Sequence, residues 1–539
     1  MKNNLTMNQK NIIMLACASC SAISAMGART GIQSAEANTP AVTHISSMET
    51  KRPNLLYIFP DQYRLNALSL WSDPEFRNVL STAGDPVHTP NIDKLAHKGV
   101  IFNNACSTFP VSSPHRGMLM SGMYPRENGI EINCRVGRTS GLKPEIECLT
   151  DVLSKAGYET AYVGKTHWHK NDPFFDKQGN YVGTNEEPGG NPINYYDTYI
   201  PEGKSRHGNK FWFQGIKSHF ISKTYSNRPE LVGGKKDGEV CIHNGFTAAH
   251  EADIVIKYLQ NKHGERAEGK PFSMIWSINP PHPPYYKLSD CDQAVYEKYY
   301  KDMPLDQLFV RKNAAAQWVN EKNKKEDIQL NARIYFSLIK SIDDEIGRVL
   351  KALEETGEAD NTIVVFTSDH GEMMGSHQLM GKSVIYEESF LVPYIVSYPK
   401  MLSHQVNDLM FGSVDIMPTL LGLMGLGNQI PASVMGKDYS DGIITGTYKK
   451  NQKPTSAAFL SDISKGVRTY TYTYVVHTDG SYELYNRKQD PYQLHPLKLE
   501  DIPAADVEEL QTAVGQWINV SHDRWGDEKK HAELIHYQK

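Results

Sequence analysis

Cysteine is scarce in this chain: seven among 539 residues, and those beyond residue 27 form no C-x-x-C pair. The spacing that marks a thiolate zinc site is missing there, so zinc ligation is not expected. Five cysteines lie beyond residue 27, Cys106, Cys134, Cys148, Cys241 and Cys291, and an odd count leaves at least one thiol unpaired. Basic residues are not in excess either. Lys and Arg number 57 against 62 Asp and Glu, a formal net charge of −5 that gives no footprint for nucleic acid. A few basic groups converging on one pocket hardly change such a total, so an anionic substrate stays open. Beyond residue 26 no apolar run is long enough to cross a bilayer. The 20 histidines form no dense cluster with acids at zinc-ligand spacing, which counts against a zinc hydrolase.

What is present begins with an export signal. Lys2 and Lys10 precede an alanine-rich apolar stretch from Ile12 to Met26, too short to anchor as a span, and Ala25-Met26-Gly27 offers cleavage after Gly27. The expected address is the periplasm. Lipidation at Cys17 or Cys20, giving a surface lipoprotein, is the alternative, although the residues before them fit a lipobox poorly. Residues 28–50 are small and polar and read as an N-terminal tail.

From residue 51 to about 445, short apolar runs end in polar residues: 53–61, 159–163, 272–278, 362–367 and 392–398. Each predicts a buried strand. Helical patterns separate them, over 247–260 and 328–353, the latter with Ile334, Leu338, Ile342, Ile346 and Leu350 on one face and Gly357 as its stop. The alternation predicts an α/β domain, a large mostly parallel sheet sandwiched by helices, with ligands at the carboxyl ends of its strands. Residues 170–245 are rich in Gly, Pro, Asn and aromatics without periodicity and predict long loops over the site. Residues 446–539 predict a smaller antiparallel α+β domain: strand patterns over 469–477 and 482–485 around Asp479-Gly480, then a helix over 504–520.

The most informative stretch is Ser112-Ser113-Pro114-His115-Arg116, followed by an apolar run and Ser121-Gly122. Pro114 suits the first turn of a helix, which puts Ser112 at a mouth where free N–H groups favour anions. Arg116, one turn on, is able to point a guanidinium at the same place. Taken alone the fragment equally describes a helix-capping serine and a surface arginine. Ser-x-Pro-x-Arg with its small-residue helix resembles, however, the signature of the type I sulfatases, in which the first residue, Cys or Ser, is oxidised to formylglycine. Other segments resemble that family in its order: Pro53 to Asp61, His88 to Ala96, Gly164-Lys165-Thr166-His167, Ser368-Asp369-His370-Gly371-Glu372 with Gly381-Lys382, and Glu483-Leu484-Tyr485-Asn486 near the end.

The resemblance implies an alkaline phosphatase-like fold and a sulfate ester hydrolase. Its metal ligands would be Asp61, Asp369, His370 and residue 112, holding calcium, with magnesium possible, since hard oxygen donors suit either ion. The family carries two adjacent acids at the first position; here the second is Gln62, whose amide oxygen still ligates but removes one negative charge. Lys165 and Lys382 would grip sulfate together with Arg116. His282, between prolines in Pro280-Pro281-His282-Pro283-Pro284, would be the general acid, and His167 would assist release of sulfate. Lys165 and His167, two apart, face one side if the segment is extended. Serine at 112 implies the radical-type anaerobic sulfatase-maturating enzyme of bacteria as a partner, acting before export. A sulfated host glycan or glycosaminoglycan is the expected substrate and an aryl sulfate the second choice. Phe174, Phe175, Tyr195, Tyr196, Trp212 and Phe213 are placed either to stack on sugar faces or to pack within the loops. A phosphomonoester or phosphodiester hydrolase, and a glycan-binding protein that is never modified, are the alternatives.

Overall fold

Five of the apolar runs form strands in one ten-stranded sheet. The computed structural model describes residues 51–135, 138–171, 173–175, 181–184, 187–188, 197–216, 219–314, 327–449, 451–523 and 530–537, with backbone alone for 173–175, 181–184 and 187–188. The expected signal and tail, and Tyr195 and Tyr196, lie outside these residues. In chain order the sheet contains β1 (Asn54–Asp61), β2 (Val100–Phe102), β3 (Glu159–Gly164), β4 (Phe211–Ile216), β5 (Ile221–Ser226), β6 (Cys241–Asn244), β7 (Phe272–Pro281), β8 (Thr362–Thr367), β9 (Tyr394–Ser397) and β10 (Gln405–Asn407). Their spatial order is β6-β5-β4-β3-β7-β1-β8-β9-β2-β10. The five central strands, β4 to β8 in that order, run parallel, whereas β9, on one side, and β5, on the other, are antiparallel to their neighbours. The run at 392–398 is thus a strand of opposite sense to β8.

Period-two alternation builds a core on each face of the sheet. Leu56, Ile58, Ala161, Val163, Met274, Trp276, Val364 and Phe366 point to one side, which is covered by α4 (Thr247–Gln260) and α5 (Ile328–Glu355). Leu55, Tyr57, Phe59, Tyr162, Ile275, Ile363 and Val365 point to the other, against α2 (Ser112–Ser121) and α3 (Leu149–Lys155). A further helix, α1 (Pro90–Ala96), is tied to α5 by Asp343, which accepts from the Asn91 and Ile92 N–H groups. Asp327 caps α5, accepting from the Gln329 and Leu330 N–H groups at 3.1 Å each, which fixes where the helix starts.

Residues 170–245 depart from the expectation. Instead of loops throughout, 211–244 supplies β4, β5 and β6, and Trp212 and Phe213 are fully buried in β4. Those two rings pack in the sheet and are not available to stack on a sugar. Aromatic richness here marked strand rather than loop. The C-terminal part forms an antiparallel sheet of β11 (Ser456–Leu460), β12 (Ser464–Thr469), β13 (Tyr472–His477) and β14 (Tyr482–Asn486), with α6 (Ala504–Val520) packed on it through Leu510, Val514 and Ile518. Among the described residues no helix is long and apolar enough to cross a membrane.

Candidate active site

Polar residues gather where the central strands end, as the topology requires. β1 ends on Asp61, Lys165 follows β3, His282 follows β7, and Asp369 and His370 lie two and three residues past the end of β8. The β1–β7 register shifts at Pro60/Asp61, so Ile278 faces Pro60 and Pro281 faces Asp61. That irregularity brings the His282 loop up to the end of β1. Gln62 and His167 hold positive φ, 65° and 52°, a conformation that costs non-glycine residues and is found where packing over-determines it. Gly164, at φ 104°, lets β3 approach β7: a Cβ there would lie 2.0 Å from the Ser277 carbonyl oxygen.

Ser112 opens α2 and is 1 % exposed. Its Oγ lies 3.1 Å from His370 Nε2, which in turn lies 3.7 Å from Asp61 Oδ1 and 3.7 Å from Asp369 Oδ1. Donor atoms of Asp61, Asp369 and His370 all fall within 4.8 Å of one another, and all three residues are fully buried. Asp61 Oδ1 has no hydrogen-bond partner despite its burial. An unsatisfied buried carboxylate oxygen beside a second carboxylate, an imidazole and a hydroxyl is the donor set a divalent cation completes, so the residues fit the expected metal.

The cations are arranged around the acids. Arg116 donates from Nη2 to Asp61 at 3.0 Å and to Asp369 at 3.1 Å, and from Nη1 to Ser277 Oγ at 2.6 Å and the Lys165 carbonyl at 3.1 Å. Its guanidinium also lies over the Phe59 ring, 4.7 Å from the centroid. The arginine therefore bridges the two acids instead of standing free at the helix mouth. Lys165 Nζ lies 2.8 Å from Asp61 Oδ2. Burial alone would raise the Asp61 carboxyl, but Lys165, His282, Arg116 and His370 outweigh it and hold the group well below the usual carboxylate range. Asp369 is pushed upward, by burial and by the Asp61 charge beside it.

Gln62 serves as a connector. Its backbone N–H donates to Asp369 Oδ1 at 3.0 Å, its side-chain nitrogen donates to Glu372, and its amide oxygen accepts from Lys382 Nζ at 2.5 Å. The oxygen assigned from sequence as a ligand is thus engaged by the lysine. Glu372, which closes the Ser368–Glu372 motif, is fully buried and also accepts from the Tyr285 hydroxyl and from the Met374 and Gly381 N–H groups. No periodicity or spacing singles it out; only its contacts do.

His167 approaches differently from the expectation. Its positive φ breaks the extended alternation, so the side chain does not share a face with Lys165 by the every-second-residue rule. Its Nε2 lies 3.0 Å from the Cys134 carbonyl, and Asp197 accepts from its N–H. His282 is half-buried, with Nδ1 3.0 Å from the Pro283 carbonyl, and its own carbonyl accepts from His219 Nε2 at 2.5 Å. Burial, Lys382 and Lys165 together keep the His282 imidazole well below its usual range. Asp197, His219 and Cys134 come from segments with no motif, and sequence reasoning had no handle on them. His115, left out as a catalytic candidate, sits buried between Ser107 and Ser413 hydroxyls.

With this geometry in view, comparison with known proteins is decisive. Residues 53–426 match the sulfatase family, and residues 375–518 match the C-terminal region of N-sulphoglucosamine sulphohydrolase. The chain belongs to the sulfatase family. An endo-4-O-sulfatase of Bacteroides thetaiotaomicron is 35 % identical over 91 % of this sulfatase and 96 % of that protein. An ulvan-active sulfatase of Formosa agariphila is 29 % identical over 89 % and 83 % of the two chains. A solved structure from work on the metabolism of multiple glycosaminoglycans by B. thetaiotaomicron superposes with a TM-score of 0.81 at 34 % identity, covering 90 % of this sulfatase and all of that chain. The putative sulfatase yidJ of Bacteroides fragilis superposes with a TM-score of 0.73 at 29 % identity, over 92 % and 98 % of the two chains. This sulfatase therefore has the alkaline phosphatase-superfamily fold, with its smaller antiparallel C-terminal sheet.

Proposed function

We propose that this sulfatase removes sulfate from sulfated carbohydrate, a host glycan or glycosaminoglycan, with formylglycine made from Ser112 and a calcium ion held by Asp61, Asp369, His370 and residue 112. The observation that carries the reading is Ser112 Oγ facing His370 in a buried acid cluster whose Asp61 Oδ1 lacks a partner. The names of the relatives support a glycan substrate. Hydrated formylglycine supplies two hydroxyls on one carbon, one to attack sulfur and one whose ionisation releases sulfate. Calcium, when bound, lowers the pKa of the attacking oxygen and shares the charge of the sulfate.

The chain's own residues do the rest. Lys165 Nζ stands at Asp61 and Lys382 Nζ at the Gln62 amide oxygen, and the two lysines bind sulfate oxygens; Arg116 keeps the two carboxylates in place. Asp61, Asp369 and Glu372 face Arg116, Lys165 and Lys382, so the pocket starts near neutrality. A divalent cation, a sulfate monoester and an ionised nucleophile together add no net charge, which keeps a water-poor site tolerable. His282 lies at the open side, neutral while the pocket is empty; a sulfate anion beside it favours the imidazolium, which protonates the departing sugar oxygen. His167, oriented through Cys134 and Asp197, takes the proton when sulfate leaves. The serine at 112 supports maturation by the radical-type anaerobic enzyme, and the expected N-terminal export signal supports a periplasmic address.

The test is a mass spectrum of the tryptic peptide from Gly99 to Arg116, taken from chain co-expressed with an anaerobic maturase. A loss of about two mass units at Ser112 is the expected result, serine having become an aldehyde. An unmodified serine in an active preparation would overturn the formylglycine route and favour phosphoryl transfer by the hydroxyl itself.

A further inference from the structure

A second group of metal-ligating side chains lies outside the catalytic centre. Cys148, Asp151 and His207 bring one donor atom each within 4.8 Å of one another. Cys148 precedes the first turn of α3, Asp151 lies three residues on, and His207 follows the short helical turn Lys204–Arg206 that leads to β4. None of the three belongs to the catalytic cluster.

The histidine is the unusual member. His207 is 1 % exposed, yet neither ring nitrogen makes a hydrogen bond. Nδ1 lies 3.3 Å from Asp151 Oδ2 without forming one. Its backbone is held in the left-handed region at φ 45°, and Thr150 Oγ1 donates to its carbonyl at 2.5 Å. A buried imidazole with two idle nitrogens costs free energy unless something occupies one of them. The cysteine is the second oddity. Asp151 Oδ2 accepts from the Cys148 N–H at 3.0 Å, the acidic half of a capping box, but the cap residue itself is a thiol, a weak acceptor where Ser or Thr would serve better. Capping alone gives no reason for a cysteine here. Coordination does.

We propose that Cys148 Sγ, an Asp151 carboxylate oxygen and a His207 ring nitrogen form a zinc site that ties α3 to the segment entering β4. Thiolate, imidazole and carboxylate are the donor set of tetrahedral zinc, whereas the oxygen-rich catalytic centre suits calcium. Binding forms a zinc–sulfur bond and releases the Cys148 thiol proton to solvent. The carboxylate of Asp151, a quarter exposed, leaves the side through which the ion enters and where water completes the fourth position. The sequence carries no zinc spacing because one ligand comes from beyond β3; only the fold assembles the set.

The experiment uses the full chain, stripped of transition metals and kept in calcium. It should take up about one zinc per chain by inductively coupled plasma mass spectrometry, and cobalt in its place should give a thiolate charge-transfer band. Cys148→Ser should abolish the band, and His207→Ala should drop the zinc to background, while Asp369→Asn, in the catalytic centre, should leave both intact. X-ray absorption at the zinc edge of the unaltered chain, which needs no variant to fold, should show one sulfur among nitrogen and oxygen neighbours. A folded chain that takes no zinc, a zinc shell without sulfur, a band that survives Cys148→Ser, or zinc lost with Asp369→Asn instead would each overturn the proposal.

Discussion

His282 and Lys382 are half-buried, whereas Ser112, Asp61, Asp369, His370 and Arg116 have at most 1 % of their surface exposed. The pocket therefore has a closed floor and an accessible rim, and the two parts should respond differently to substitution. His282→Ala should cut kcat on sugar sulfates by about 10²–10⁴-fold, the usual range for a general acid, and much less on an aryl sulfate whose phenolate leaves unaided. Steady-state kinetics on both substrates checks this; an equal loss on both would remove His282 from the role. The floor was legible in sequence because each of its residues sits in a short motif, either just after a strand or at the start of α2. The connectors were not. Glu372 and Asp197 act through hydrogen bonds to backbone and amide groups that only tertiary contact creates.

The packing of α4 on the sheet includes a carboxyl where apolar contact would be expected. Glu251 is buried under Gly164 and Gly215 and accepts from Trp276 Nε1 at 3.1 Å. Burial pushes its pKa up to about 8, with only the indole bond opposing. The folded state thus holds a proton that the unfolded chain loses above its ordinary value of 4.5. Stability from this group is fully present below pH 4.5 and declines as pH rises toward 8, by roughly 5 kcal/mol in all. Glu251→Gln should match the parent in denaturant unfolding near pH 4.5 and be the more stable protein at pH 8; a constant difference would refute the assignment. The helix itself was readable from its periodicity, and so were α5 and α6. β4 to β6 were not, because Gly and Asn among aromatics imitate loop composition while the rings fill sheet positions.

For the molecule as a whole, charge reinforces the joint between the large sheet and the C-terminal sheet, where Phe390 packs edge-on against Phe459. Glu387 accepts from Arg468 Nε at 3.0 Å, on β12, and from Arg487 Nε at 2.5 Å, just past β14. Burial would raise this carboxyl, but the two guanidinium groups overcome it and bring it down to about 2. Its contribution is present above pH 4.5 and lost as pH falls toward 2, the reverse of Glu251. Glu387→Gln should cost about 3 kcal/mol at neutral pH, since it leaves two arginines without their anion, and the deficit should shrink through that acid window. Chemical denaturation at several pH values measures it. The two-part architecture was visible in the change from strand–helix alternation to hairpins near residue 445, whereas this joint pairs residues far apart in sequence, a contact that spacing cannot reveal. Under the proposed chemistry the burial of Ser112 has a consequence for any sample of the protein. Once α2 has closed over it, a serine missed during synthesis has no second opportunity, because no modifying enzyme reaches a side chain with 1 % of its surface exposed. Each batch is then a frozen mixture of competent and inert molecules, and its specific activity records the conditions under which the cells made it rather than the quality of the purification.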